Sequence, residues 1–176
     1  NVFNPRRGFH GVATVEWART FLSSPVVRPD GSEDRFFSHH LSVSLRGTGY
    51  IPIKERVVFA LQGQYGRVIA LSKDSETYPN RRFFMGGVDT MRAFHQDAMT
   101  PQDVAEVAAE LGDEVSHVVN QGGNTYLLLR GELRFPIYSS IAGGIFTEFG
   151  NLWSDPTALN PLKLRPSIGL GIRLET

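Results

Sequence analysis

Alternation of apolar and polar residues with a period of two dominates the chain. It returns in segments that run over Phe9–Trp17, Phe37–Ile51, Val57–Leu71, Thr125–Ile137, Ile141–Phe149 and Leu164–Leu174. Successive side chains of a β-strand point to opposite faces, so this alternation predicts strands with one apolar and one polar face. The sequence therefore predicts an all-β, antiparallel sheet of about six strands.

The lengths of these segments favour one of two all-β architectures. Strands of globular proteins run over about 5–6 residues, whereas a tilted strand that crosses a membrane needs about 9–11. Several segments reach the longer figure, and their polar faces carry Arg46, Arg130, Glu132 and Glu148 in mid-strand. A β-sandwich with one solvated face and the water-filled lumen of a barrel would both accommodate such charges. Segment length favours a transmembrane β-barrel, with the sandwich as the alternative.

The connections between the predicted strands are of two lengths. Two are short, Pro52–Glu55 and Pro136–Ser140, and three are long, roughly Ser23–Arg35, Ser72–Gly122 and Ser154–Leu162. Short turns at one end and long loops at the other are typical of outer-membrane barrels, whose long loops lie outside the cell. The pattern therefore predicts a long extracellular loop over residues 72–122.

One short helix is predicted inside that loop, at about residues 101–111. Thr100–Asp103 matches a capping box with Pro101 at the first helical position, and Gly112 can end the helix. The apolar positions at helical spacing are Val104, Val107, Ala108 and Leu111. Such a helix could act as a plug, as a lid over the barrel mouth or as a partner-facing element.

Composition excludes several classes of function. Lys plus Arg and Asp plus Glu both number 18, so the formal charge of zero gives no indication of a nucleic-acid partner. The chain has no cysteine, which excludes disulfides and thiol catalysis. His39 and His40 would point to opposite faces of a strand and could not share a metal ion. No enzyme motif is present. The sequence therefore predicts no metal, no cofactor and no catalytic residue.

The segment Arg82–Phe94 differs from the predicted strands. It is apolar at both ends and contains Gly86 and Gly87, which permit a tight bend of the backbone. Arg92 is an isolated cation between Met91 and Phe94. In a soluble protein it would be a surface charge. Inside a barrel it would need an acidic partner, because an unpaired desolvated charge is costly.

This segment resembles the loop-six signature of the BamA/TamA-type outer-membrane assembly barrels, the bacterial surface-antigen family. That signature has an aromatic residue and paired glycines, followed by an aliphatic–Arg–Gly–aromatic tetrad. The tetrad here is Met91, Arg92, Ala93 and Phe94. Further segments resemble family strands in the same order and spacing, namely Asn4–Gly8, Gly122–Asn124 with Leu129–Pro136, Phe146–Trp153 and Ser167–Arg173.

The chain departs from the family pattern in three respects. Ala93 stands where the family usually has Gly, and because Ala tolerates positive φ poorly, we expect a different local bend. Glu148 stands where the family usually has Asp, which keeps the charge and adds reach. The family barrel also has more strands than this chain predicts. The resemblance therefore implies that residues 1–176 are a partial C-terminal barrel domain, with strands before Asn1 and after Thr176.

The resemblance also implies a function and a location. It implies a non-enzymatic barrel of the bacterial outer membrane that inserts outer-membrane proteins or translocates secreted ones. The implied partners are unfolded client proteins, outer-membrane lipid or lipopolysaccharide, and accessory lipoproteins. A passive pore or structural barrel is the alternative function, and an outer-membrane enzyme is a further one.

Carried over from the family, Arg92 would reach from the long loop into the lumen. Glu132 and Glu148 lie on the polar faces of neighbouring predicted strands, so both should point inward. We expect Arg92 to pair with one or both of them, which would contribute about 1.5–3 kcal/mol. The pair would hold the loop against the inner wall. The alternative is that Arg92 is a solvated loop cation.

Overall fold

The computed structural model describes residues 5–20, 25–27, 33–35, 37–73, 75–112 and 120–174. Its strands are β1 (Gly8–Arg19), β2 (Pro25–Val27), β3 (Glu33–Arg35), β4 (His39–Lys54), β5 (Val57–Ala70), β6 (Thr125–Tyr138), β7 (Ile141–Trp153) and β8 (Arg165–Leu174). Within the same ranges, the α-helix is α1 (Gln102–Glu110), and short 3-10 turns cover Pro79–Arg81 and Pro156–Ala158.

Six long strands form one antiparallel sheet in the order β1-β4-β5-β6-β7-β8. This arrangement confirms the predicted all-β architecture. The shortest of them, β8, has 10 residues and the longest, β4, has 16. A tilted membrane crossing needs about 9–11 residues, so each of these strands is long enough.

The two short turns begin later than predicted, because the strands continue through Pro52 and Pro136. The strand register shifts between Pro52 and Lys54, and again between Pro136 and Tyr138. Proline cannot donate a hydrogen bond to a neighbouring strand, and a bulge is one of the few places where a sheet tolerates it. Ser139 then reverses the chain between β6 and β7 with a φ of 47°.

The predicted apolar faces of the strands are bare in the described structure. Phe9, Leu45, Leu61, Leu129 and Leu170 are 79%, 46%, 52%, 43% and 79% exposed. In a soluble sandwich such faces would cover each other, whereas the outward faces of barrel strands meet lipid. The opposite face of the sheet carries the long loop and the buried charges.

The first long connection contains a small hairpin that the alternation did not predict. In it, β2 pairs with β3 in antiparallel register. Each strand has 3 residues, which is too short for alternation to be visible in the sequence. The rest of the predicted loop over residues 23–35 lies outside the described residues.

Helix α1 forms within the predicted range, but its predicted capping box is wrong. Pro101 is the N-cap, at φ −53° and ψ 142°, and no side chain caps the helix. Of the predicted apolar stripe, Ala108 is buried, while Val107 and Leu111 are 55% and 74% exposed. Gly112 follows the last turn with a φ of 78°, as predicted for a helix end. No helix in the described ranges has the length and hydropathy needed to span a membrane.

Candidate functional site

The segment Arg82–Phe94 forms a compact loop against the inner face of the sheet. Phe83 and Gly123 exchange two backbone hydrogen bonds, both with N···O distances of 2.8 Å. Beyond the loop, the backbone nitrogen of Met99 donates to the carbonyl oxygen of Met85 at 3.0 Å. The first two bonds hold the start of the loop next to the start of β6, and the third brings the chain after the loop back to its start.

The paired glycines make the tight bend of this loop. Gly86 and Gly87 have φ angles of 118° and 90°, which residues with a Cβ rarely adopt. A Cβ on Gly86 would lie 2.1 Å from the carbonyl oxygen of His95, so glycine is required there by space as well as by φ. The bend also places the nitrogen of Gly86 2.8 Å from Oγ1 of Thr90, and that of Gly87 3.0 Å from the carbonyl oxygen of Phe94.

An apolar cluster packs the loop onto the sheet. Its fully buried members are Met85, Met91, Met99, Leu128 and Leu152. These include all three methionines of the chain, whose flexible thioethers fill irregular spaces well. Gly150 of β7 allows the close approach, because a Cβ there would lie 2.9 Å from Cε of Met85 and 3.0 Å from Sδ of Met91. Phe94 is half-buried beside the cluster.

Arg92 contacts both predicted acidic residues. Its Nε lies 3.2 Å from Oε1 of Glu148, and its backbone nitrogen donates to Oε2 of the same carboxylate at 2.9 Å. Its Nη2 donates to Oε2 of Glu132 at 3.4 Å. The Glu148 side chain is fully buried and that of Arg92 is 27% exposed, so the contacts lie largely out of solvent.

An aromatic ring supports the Arg92 guanidinium from the sheet. The guanidinium carbon lies 3.8 Å from the ring centroid of Phe146 on β7, which is within the range of a cation–π interaction. Gly169 of β8 faces the same ring, and a Cβ there would lie 2.3 Å from it. The absence of a side chain at position 169 therefore allows the Phe146 ring to lie where Arg92 meets it.

Arg130 of β6 makes a second connection between the sheet and the loop. Its Nε lies 2.8 Å from Oε1 of Glu148, and its Nη2 donates to the carbonyl oxygen of Thr90 in the loop. The Nε–H groups of Arg130 and Arg92 are not aligned with Oε1 of Glu148. Both contacts are therefore ion pairs rather than aligned hydrogen bonds. Ser167 of β8 donates to the other oxygen of Glu148 at 3.0 Å.

Glu132 is shared by three arginines. Arg134 and Arg173 each donate to its Oε1 at 2.9 Å, and Arg92 contacts its Oε2. Glu132 and Glu148 are thus both surrounded by cations, which offsets the cost of burying their charges. Removal of either carboxylate would leave arginines uncompensated in a largely buried site.

Polar contacts attach α1 to the top of β7 and to the loop before β8. Asp103 accepts hydrogen bonds from the backbone nitrogens of Ser154 and Asp155 at 2.9 and 2.7 Å. Lys163 donates to Glu106 at 2.7 Å. The pKa of the Glu106 carboxyl is lowered, mostly by a hydrogen bond from Gln102 and next by the one from Lys163. Because the side chains of Lys163 and Glu106 are 50% and 42% exposed, this ion pair contributes little to the attachment of α1.

The structure places the residues singled out from the sequence as follows. Gly86, Gly87, Met91, Arg92, Phe94, Glu132 and Glu148 come together at the loop and the inner wall. Ala93 is exposed, and it is not among the described residues with positive φ other than glycine, which are Asp97 and Ser139. The loop therefore passes position 93 without the strain that Ala would suffer at positive φ.

Several residues of the cluster were missed by the sequence analysis as partners of Glu132 and Glu148. They are Arg130, Arg134, Phe146, Ser167 and Arg173. The signal that could have found them is strand register, because Arg130 pairs directly with Glu148, and Glu148 with Ser167. Alternation gives the face of each residue, but only register gives its neighbours.

The comparisons with known proteins agree with this architecture. The family model described as Omp85 superfamily domain matches residues 1–176. The crystal structure of BamA from Haemophilus ducreyi lacking POTRA domains 1–3 has a TM-score of 0.68 and 16% sequence identity. The match covers 99% of this chain and 34% of that chain, so the present chain spans about a third of its length. Among curated proteins, no relative matches.

Proposed function

The chain belongs to the Omp85 superfamily, and on that premise we propose that it forms part of a barrel wall that assembles or translocates other proteins at the bacterial outer membrane. Family membership places the chain in the outer membrane. We propose that residues 1–176 are a partial C-terminal barrel domain, with residues 72–122 as its long extracellular loop. No bond is made or broken in the proposed action.

The observation that carries this proposal is the attachment of the loop to two adjacent strands. Arg92 contacts Glu132 on β6 and Glu148 on β7. Arg130 extends from β6 in the opposite direction, to the carbonyl oxygen of Thr90. The loop is therefore held by charges that belong to the loop and by charges that belong to the wall.

These contacts make the loop a brace for the inner wall. Glu148 is bonded to Ser167 and Glu132 to Arg173, both on β8, so the cluster links the loop to three neighbouring strands. Sheets can shear or separate where only backbone hydrogen bonds join them, whereas a bound loop fixes their relative position. We propose that this brace keeps the barrel in the shape that receives client strands.

The proposed partners follow from the family resemblance. They are unfolded outer-membrane or secreted proteins as clients, outer-membrane lipid or lipopolysaccharide as the surroundings, and accessory lipoproteins. The site itself favours neither insertion nor secretion, because both would need a stable wall.

Charge reversal tests the brace. We expect Arg92→Glu in the full-length protein to abolish client assembly, because breaking a buried pair costs about 3–5 kcal/mol. A compensating lysine, as Glu132→Lys or Glu148→Lys, should restore part of the activity. Arg81→Glu is the matched control, since it reverses a charge in the same loop whose pair with Glu16 is about half exposed. Normal assembly by the Arg92→Glu protein would rule out the brace.

A passive pore remains the rival function, and the packed loop argues against it. The cluster around Met91 is fully buried and occupies the inner side of the sheet, where an open pore would need water. A large, steady conductance of the reconstituted protein would favour the pore. Client chains cross-linked to the terminal barrel strands during assembly would favour the proposed function.

A further inference from the structure

Arg67 is a cation on the outward, mostly apolar side of the sheet. It pairs with Val43 on β4 and with Thr125 on β6. The outward positions around it are Tyr65, Ile69 and Leu127, at the same alternation as the exposed Leu61 and Leu129. A charge on the lipid-facing side of a barrel strand is costly near the middle of the membrane and much less so near its surfaces.

Arg67 lies near the outer surface of the membrane. It is three residues before Ala70, where β5 ends and the long loop begins. At about 3.3 Å of rise per residue, this is roughly 10 Å of strand. Long loops of outer-membrane barrels lie on the extracellular side, so Arg67 reaches the headgroup level of the outer leaflet.

The guanidinium of Arg67 has no protein partner in the described ranges. Its Nε is buried without a hydrogen-bond acceptor, and none of the ion pairs formed between described residues includes it. Oγ1 of the neighbouring Thr125 is likewise buried and unbonded. The 3-10 turn Pro156–Ala158 lies against β5, but Asp155 beside it accepts two hydrogen bonds from Thr157 at Oδ1 and is in none of the ion pairs between described residues.

We propose that Arg67 binds a phosphate group of an outer-leaflet lipid. A partly buried, unpaired guanidinium is unfavourable, and its planar set of donors matches the oxygens of a phosphate. The long side chain can also extend along the strand surface and place its charge among the headgroups. The inference depends on the membrane location of the chain and not on its assembly activity.

Lipid retention by the full-length protein tests the proposal. The protein is reconstituted in phosphatidylcholine vesicles that contain either phosphorylated lipid A or lipid A without phosphates, and co-purifying lipid A is measured after extraction. We expect Arg67→Gln to reduce retention of phosphorylated lipid A about tenfold, which corresponds to loss of one charge-assisted hydrogen bond. Arg67→Lys should retain an intermediate amount. Lys73→Gln, an exposed cation beyond the same strand end, should have no effect.

Two measurements on the unaltered protein keep the proposal testable even if Arg67→Gln does not fold. Removal of the lipid phosphates should reduce retention about as much as the substitution does. Equal retention of both lipids, or equal retention by Arg67→Gln and the unaltered protein, would overturn the proposal. Inorganic phosphate added in detergent should not displace bound lipid A at comparable concentration. Displacement would identify a free-phosphate site instead.

Discussion

The inner and outer faces of β6, β7 and β8 differ in the charge that they carry. On the inner face of β6, β7 and β8, Glu132 and Glu148 are buried among four arginines. On the outer face of β8, Ile168, Leu170 and Ile172 are 78%, 79% and 80% exposed. The difference shows that the inner face becomes buried by the loop, whereas the outer face is left to the lipid. Substitutions on the inner face should therefore destabilise the docked loop, whereas charged substitutions on the outer face should destabilise the strand in the membrane.

The largest effect is expected where the loop bends on the inner side. Gly86→Ala combines positive φ with a Cβ 2.1 Å from a backbone oxygen, so we expect it to destabilise the docked loop by about 2–5 kcal/mol. Hydrogen exchange at the amides of Gly87 and Met99 would then accelerate. Gly112→Ala is the control, because Gly112 also has positive φ but open space around it. Equal changes in the exchange of these amides in the two variants would mean that the lack of space at Gly86 does not stabilise the docked loop.

The next effect separates the two faces directly. Leu170→Lys puts a charge on the lipid side and should cost about 2–4 kcal/mol of folding free energy in vesicles. Gly171→Lys puts the same charge on the inner side, where nothing lies within 4 Å of its Cβ, and should cost under about 1 kcal/mol. Urea unfolding of both variants from vesicles provides the comparison. Equal costs would contradict the assignment of the faces.

The smallest effect concerns the ring under Arg92. Phe146→Leu keeps an apolar side chain but removes the π face, so we expect the loop to be destabilised by about 1 kcal/mol. Phe149→Leu, on the outer face of the same strand, should leave loop exchange unchanged. If both variants affected the loop alike, the cation–π contact would have no role in holding it.

Much of the fold could be predicted from the sequence, because the alternation of apolar and polar residues follows directly from one face meeting lipid and the other facing the lumen. The long strands, their faces and the position of α1 follow from it. The sequence predicts Pro52 and Pro136 as turn residues, since proline usually ends a strand, but bulges accommodate both within strands. The β2–β3 hairpin was missed because its strands are too short to show a pattern.

The candidate site was harder to predict than the fold. The prediction of Arg92, Glu132 and Glu148 depends on the family resemblance, since a single arginine in a loop has no distinctive local signal. The partners Arg134 and Arg173 depend on how strands are aligned, which alternation does not specify. The capping box failed because Asp103 is used by the backbone of Ser154 and Asp155 instead of by the helix start.

A double-mutant cycle on Arg92 and Glu148 tests the brace most directly. Arg92→Gln, Glu148→Gln and the double variant are compared by the free energy of loop opening, taken from hydrogen exchange in the full-length protein. We predict a coupling energy of about 1.5–3 kcal/mol, against no more than about 1 kcal/mol for the exposed pair Arg81–Glu16. A coupling energy for Arg92 and Glu148 that is indistinguishable from zero would contradict the account.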